Sequence, residues 1–224
     1  MQRMVTFGSP VLMAKSSPIT AVTTRQTTLN EGVNAALRAV QLDDKNPYCH
    51  YAVAITHTFA GQFDAATEAA QRSVALCPSF ALGYFGLSHA RVFAGQPKEA
   101  IEALEHGLRL NPFDPQGFAW HLTSAISYFF VGRPEKGLDH ARRALSLRPH
   151  WAPALMLVTL CAAELGDIPR ARAALKEMDT TGDARVGVLG EVLTYNPRWD
   201  DHVRQTMAAV RADLVETSAA RMSE

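Results

Sequence analysis

Apolar residues recur at helical spacing in short runs that end at glycine or proline, and these runs repeat. Tyr48 to Ala60 and Leu82 to Ala94 are two of them, each followed by a glycine (Gly61, Gly95), where a helix must end and positive φ is accessible. Gly61 and Gly95 lie 34 residues apart, as do Ala66 and Ala100, and Pro78 and Pro112; after a three-residue insertion the spacing resumes at Gly132 and Gly166. Such a period predicts stacked helical hairpins, with each glycine at the turn inside a hairpin. Five residues past Gly61, Gly95 and Gly166 stands an alanine (Ala66, Ala100, Ala171), and past Gly132 stands Gly137. Small side chains there let the second helix lie close to the first, where a larger one would overpack. Pro78, Pro112 and Pro149 then stop the second helices, because proline has no amide to donate.

Four hairpins follow, over about 47–79, 80–113, 116–150 and 152–183. Between the second and third, the stretch Asn111 to Pro115 carries the insertion, with Asp114 expected as the N-cap of the next helix and Pro115 in its first turn. Leu29 to Leu42 reads as a helix with Val33, Ala36, Leu37 and Val40 on one face, in register with a second helix; 29–44 is therefore half a repeat. Its first helix would fall at about Met13 to Gln26, a poor helix-forming stretch. Residues 1–28 hold no acidic residue, three basic ones, Pro10, Pro18 and many Ser and Thr, and are expected to be extended or disordered. The array is thus expected to begin in mid-repeat, as in a fragment or a chain with a mis-assigned start. Residues 29–183 form the array, and 184–224 are expected to cap it. There Arg185 to Tyr195 reads as a short apolar helix. Trp199, Val203, Met207, Val210 and Leu214 form one stripe of a last helix with a charged opposite face.

The segments "FAGQFDAATEAAQRSVALCP", "FAGQPKEAIEALEHGLRLNP" and "FVGRPEKGLDHARRALSLRP" resemble the tetratricopeptide repeat family, with "ELGDIPRARAALKEM" as a weaker fourth unit without the closing proline. The resemblance implies an all-α fold, a right-handed superhelix of stacked helix-turn-helix repeats with a C-terminal capping helix. It departs where the bulky aromatic usual early in the first helix is His50 or His121. In that family the first helices line a concave face. The register then places Tyr48, Tyr51, Ile55 and Phe59 there from the first hairpin. The second contributes Leu82, Phe85, His89, Val92 and Phe93, and the third Leu122, Ile126, Phe129 and Phe130. An apolar, aromatic groove of this kind suits an amphipathic helix or extended apolar peptide. The family's carboxylate-binding groove uses Lys, Asn and Arg, where this chain has Tyr51, Phe85 and Leu122, and Ile55 and His89 at the Asn positions. Chaperone-tail binding of that type is rejected. The competing account is that Phe59, Phe93 and Phe130 are inter-repeat core.

Composition narrows the function further. Hydrophobic residues make up 47% and charged residues 20%, as in soluble globular proteins, and Lys plus Arg (22) balances Asp plus Glu (22). The chain as a whole has no electrostatic drive toward nucleic acid or anionic lipid, and no apolar run is long enough to span a bilayer. Arg142, Arg143, Arg148, Arg170 and Arg172 form a local basic cluster, read as a solvated convex face. Cys49, Cys77 and Cys161 are an odd number without CxxC spacing, which suits a reducing cytoplasm and gives neither a disulfide framework nor a zinc site. His50 and His57 lie two helical turns apart, too far for a helix-borne metal pair. No phosphate loop, nucleophile elbow or HExxH is present, so neither a cofactor nor an enzymatic activity is expected.

A narrower resemblance lies in "LNPFDP", in "VGRPEKGLDHARRAL" and in the last helix after "NPRW". These are similar to the helical-repeat region that follows the catalytic domain of bacterial class III adenylate and guanylate cyclases, and to related winged-helix regulators. The implied role is a non-catalytic regulatory or scaffolding region that binds a protein or peptide. The alternatives are a homo-oligomerisation module, or a severed fragment without independent function.

Overall fold

The computed structural model describes the backbone of residues 18–181 and 197–222, and the side chains of 27–181 and 201–213. Among the described residues every regular element is an α-helix. In chain order these are α1 Pro18–Leu42, α2 Pro47–Phe59, α3 Phe63–Leu76, α4 Ala81–Phe93 and α5 Pro97–Leu110. There follow α6 Gly117–Phe130, α7 Pro134–Leu147, α8 Ala152–Glu164, α9 Ile168–Thr180 and α10 Pro197–Met222.

The four glycines end the first helix of each hairpin in the same way. Gly61, Gly95, Gly132 and Gly166 have φ of 74°, 85°, 71° and 72°. In each turn the residue after the glycine donates its N–H back across the last helical turn: Gln62 to His57, Gln96 to Arg91, Arg133 to Tyr128 and Asp167 to Ala162, all at 2.9 Å. This is the Schellman arrangement, which satisfies carbonyls that a helix end leaves unpaired. Pro97 and Pro134 open α5 and α7 at positions where no intrahelical N–H bond is lost.

Small residues set the distance between the paired helices. Ala66, Ala100 and Ala171 are fully buried. A methyl group on Gly137 would lie 2.9 Å from Cys161 Sγ and 3.3 Å from the Ala125 carbonyl oxygen. Consecutive hairpins then stack through their first helices, α2 on α4, α4 on α6 and α6 on α8, whereas the second helices make no comparable contact with one another. First helices packed side by side form the inner wall, and the spread second helices form the outer one. The result is a helical-repeat superhelix.

α8 is apolar on every side, and Ala152 to Ala162 is buried throughout because α6, α7, α9 and α10 all pack against or beside it. α10 closes the stack on α8 and α9. Val203 and Val210 enter the core and Met207 packs against it; the side chains of Trp199 and Leu214 lie outside the described residues. Arg172 pairs with Asp213, Arg211 with Asp179 (3.4 Å) and His202 with Glu164 (3.0 Å) across the same junction.

Two expectations change. α1 starts at Pro18, so residues 18–28 are helical rather than extended; proline is tolerated in a first turn, and a helix anchored by packing further along extends through indifferent Thr and Gln residues. The same continuous helix runs through 29–42, where the half repeat was expected, and packs on α2. Asp114 is not the N-cap of α6. Its carboxylate accepts the Gln116 N–H at 2.7 Å and the Asn111 side-chain amide at 3.0 Å, bracing the inserted loop before the helix begins. Residues 1–17 and the helix expected over Arg185 to Tyr195 lie outside the described residues.

Candidate functional site: an aromatic groove on the inner wall

Residues four apart share a face of an α-helix, so each first helix presents one stripe to the inner wall. α2 contributes Tyr51, Ile55 and Phe59; α4, one repeat later, contributes Phe85, His89 and Phe93. α6 contributes Phe118, Leu122 and Ile126, the connection from α7 to α8 adds Arg148 and Trp151, and the first turn of α8 adds Pro153. Together with Gln116, Ala119 and Thr123 they enclose a cavity of about 380 Å³ that opens on the concave side. That size lies within the range of small-ligand and side-chain pockets, and the lining is largely apolar as such pockets are.

His89 sits at the centre of an aromatic cluster. Its ring stacks on Phe85 at 5.5 Å and 23°, meets Phe93 edge-on at 4.8 Å, and lies 5.6 Å from Phe59. The Nδ1 atom is buried with no hydrogen-bond partner. Burial pushes the ring's pKa down to about 4, because a charged imidazolium has no solvent or counter-ion in that position. His89 is therefore neutral at pH 7. The Tyr51 hydroxyl is shifted upward, first by burial and then by the Asp114 and Tyr48 oxygens.

Arg148 borders the cavity from the α7–α8 connection. Its guanidinium lies 5.1 Å from the centre of the Phe118 ring and 5.2 Å from that of Trp151, and those two rings meet edge to face at 5.0 Å. No carboxylate among the described residues lies within ion-pair distance of it. The Trp151 Nε1 atom is also buried without an acceptor.

The concave residues expected from the repeat register divide into three groups. Tyr51, Ile55, Phe59, Phe85, His89 and Phe93 line the cavity, as do Leu122 and Ile126. Tyr48 and Leu82 instead border a separate cleft near the inserted loop, with Tyr48 packed on Phe80 at 4.5 Å. Val92 is fully buried, Phe129 is 5% exposed and Phe130 packs on the same core, and none of the three lines that cavity. In α6 the lining stripe stands one turn nearer the helix start than in α2 and α4, so that Phe118 joins Leu122 and Ile126 in the groove and Phe130 falls beyond it. Repeat spacing missed Arg148 and Trp151 because they belong to a connection, for which helical periodicity carries no signal.

The five arginines of the basic cluster also separate. Arg143 pairs with Asp139 (2.9 Å), Arg170 with Asp167 (3.2 Å) and Arg172 with Asp213; Arg142 is exposed, and Arg148 turns to the groove. His50 donates from Nε2 to the Asp44 carbonyl at 2.8 Å, and His57 bonds the Gln62 side chain. Among the described residues no three His, Cys, Asp or Glu side chains converge on a metal position.

No family model matches the sequence, and no curated protein does. Solved structures do. The chain superposes on TTC0263, a thermophilic TPR protein of Thermus thermophilus, with a TM-score of 0.62 and 19% identity, covering 78% of this chain and 94% of that one. The fold is the tetratricopeptide repeat fold. The type IV pilus biogenesis factor PilW matches with a TM-score of 0.64 and 15% identity over 87% of this chain and 90% of its own. YrrB, described as a TPR protein with an unusual peptide-binding site, matches with a TM-score of 0.54 and 15% identity over 85% of this chain and 99% of its own. Among the described residues, no helix is long and apolar enough to cross a membrane.

Proposed function

We propose that the chain is a non-catalytic protein-interaction module that receives an apolar helix or extended peptide in the groove formed by α2, α4 and α6. The observation that carries this reading is the continuity of the stripe: three successive first helices point Tyr51, Ile55, Phe85, His89, Phe118 and Leu122 into one open cavity. A partner side chain entering it loses water from apolar surface at roughly 25 cal/mol per Å². The peptide-binding site ascribed to YrrB is consistent with use of this fold for peptides. Proteins in the cytoplasm are the partners that the cysteine usage suggests.

The test is affinity capture from native extract with the full chain and with Ile55→Asp and Tyr51→Ala variants. Both positions are only half-buried, so the array is expected to keep its helicity and melting temperature. A prey retained by the wild type and lost from both variants supports the groove. A prey that survives both places binding elsewhere and ends this reading.

The similarity of "LNPFDP" and "VGRPEKGLDHARRAL" to the repeat region after class III cyclase domains favours a second, more specific reading, in which the partner is a cyclase or winged-helix regulator. Capture of such a protein by the groove would support it, and a reproducible partner of another class would exclude it.

A further inference from the structure

Three features of the cavity rim point the same way. Arg148 holds its guanidinium against Phe118 and Trp151, both of which line the cavity, and no carboxylate among the described residues lies within ion-pair distance. Within the cluster Arg143, Arg170 and Arg172 are each matched by an aspartate, and Arg148 is the member that borders the groove. The Trp151 indole, which can only donate, is buried with no acceptor. Finally, no acidic side chain lines the cavity.

The His89 ring adds to this. It is neutral, so one ring nitrogen donates and the other accepts, and the sealed Nδ1 has no partner. An orphaned N–H is rarer and costlier than an orphaned acceptor, so the proton belongs on Nε2. The lining thus carries one positive charge and no negative one, beside the Tyr51, Thr123 and Gln116 groups that both donate and accept.

Resting on the groove reading above, we infer that the partner peptide carries a carboxylate within one or two residues of its apolar anchor, and that Arg148 receives it while the anchor fills the aromatic cavity. The planar guanidinium, already oriented by two rings, loses little freedom when it forms a forked pair with a carboxylate. Its position on a connection between repeats separates this arrangement from one built on basic residues of the first helices. Tyr51, Phe85 and Leu122 occupy those first-helix positions here.

The experiment is selection of a randomised peptide library displayed on phage against the full chain, followed by binding of the enriched peptides, labelled with a fluorophore, in solution. Enriched peptides are expected to hold Glu or Asp next to an aromatic or large aliphatic residue. Changing that acid to its amide should weaken binding to the wild type about tenfold, the range for a charge-assisted hydrogen-bonded pair. The same change should have no effect on binding to Arg148→Gln, whereas Arg148→Lys should retain part of the preference.

Peptides that share an apolar anchor but no acid, or whose acid matters equally in Arg148→Gln, overturn the inference and leave the groove intact. Peptides that bind Ile55→Asp as well as the wild type overturn the groove reading and the inference with it. Unlabelled chain that displaces the peptides through its own groove would make a second copy the occupant, which also overturns it.

Discussion

His89 has an ordinary imidazole pKa of 6.5 in the unfolded chain and about 4 in the folded one. The unfolded chain therefore takes up the proton first as pH falls, and stability drops between about pH 6.5 and 4. It is fully present above that window. His140 acts in the same direction: burial, then the charges of His121, Arg143 and Lys136, lower it to about 4 against the opposing pull of Asp139. The urea midpoint should accordingly fall through this window, and His89→Phe should flatten part of the fall; an unchanged slope would locate the titration elsewhere. Cys161 gives a second residue-level test. Burial first, then the Glu164 charge, pushes its thiol up to about 12, whereas Cys49 and Cys77 are only half-buried. A thiol reagent at pH 8 should label those two in the folded protein and reach Cys161 only on unfolding. Nothing in the positions of the three cysteines along the chain distinguishes them; burial does.

At the scale of the helix and its turn, glycines have opposite effects according to position. Gly132 has φ of 71° and open space around a would-be methyl group, so Gly132→Ala isolates the cost of the left-handed conformation, about 1–2 kcal/mol. Gly107 lies inside α5, where a methyl carbon would stand 2.5 Å from the buried indole of Trp120. Overpacking of about 1–3 kcal/mol there should outweigh the gain of about 1 kcal/mol from replacing a helical glycine, so Gly107→Ala should destabilise. Gly32 in α1 has only Thr56 Cγ2 nearby, at 3.7 Å, and Gly32→Ala should stabilise by about 0.5–1 kcal/mol. Urea unfolding of the three variants measures all of these signs. The turn glycines were legible in the sequence because they recur with the period. Gly107 was not, since its constraint comes from Trp120 on the next hairpin.

For the molecule as a whole, stability is a sum over hairpins and the interfaces between them, so a terminal interface matters as much as an internal one. α10 supplies the last. Ending the chain after Thr181 would uncover the apolar surface of α8 and α9 that Val203, Met207 and Val210 cover. The truncated chain should melt at lower temperature and bind a hydrophobic dye such as ANS; unaltered melting would mean that α10 contributes nothing to the stack. The capping stripe of Val203, Met207 and Val210 was visible from spacing alone, because an amphipathic helix has one place to bury its apolar side. The groove was visible only in part. Its α2 and α4 stripes follow the period of 34, but in α6 the lining begins a turn earlier, at Phe118, and the groove's cation stands on a connection.

Periodicity by itself determined the hairpins, their glycine turns, the small residues between paired helices and the capping stripe. Each of these is a local requirement of backbone geometry or side-chain volume that recurs with every unit. Tertiary structure decided the rest: that Val92, Phe129 and Phe130 are core, that Phe118 and Trp151 join the groove, and that α1 runs unbroken from Pro18. It also decided that of five neighbouring arginines Arg148 turns inward, over two aromatic rings. These depend on how one hairpin is rotated and shifted against the next, which is set by packing between residues far apart in the chain and leaves no repeating mark along it.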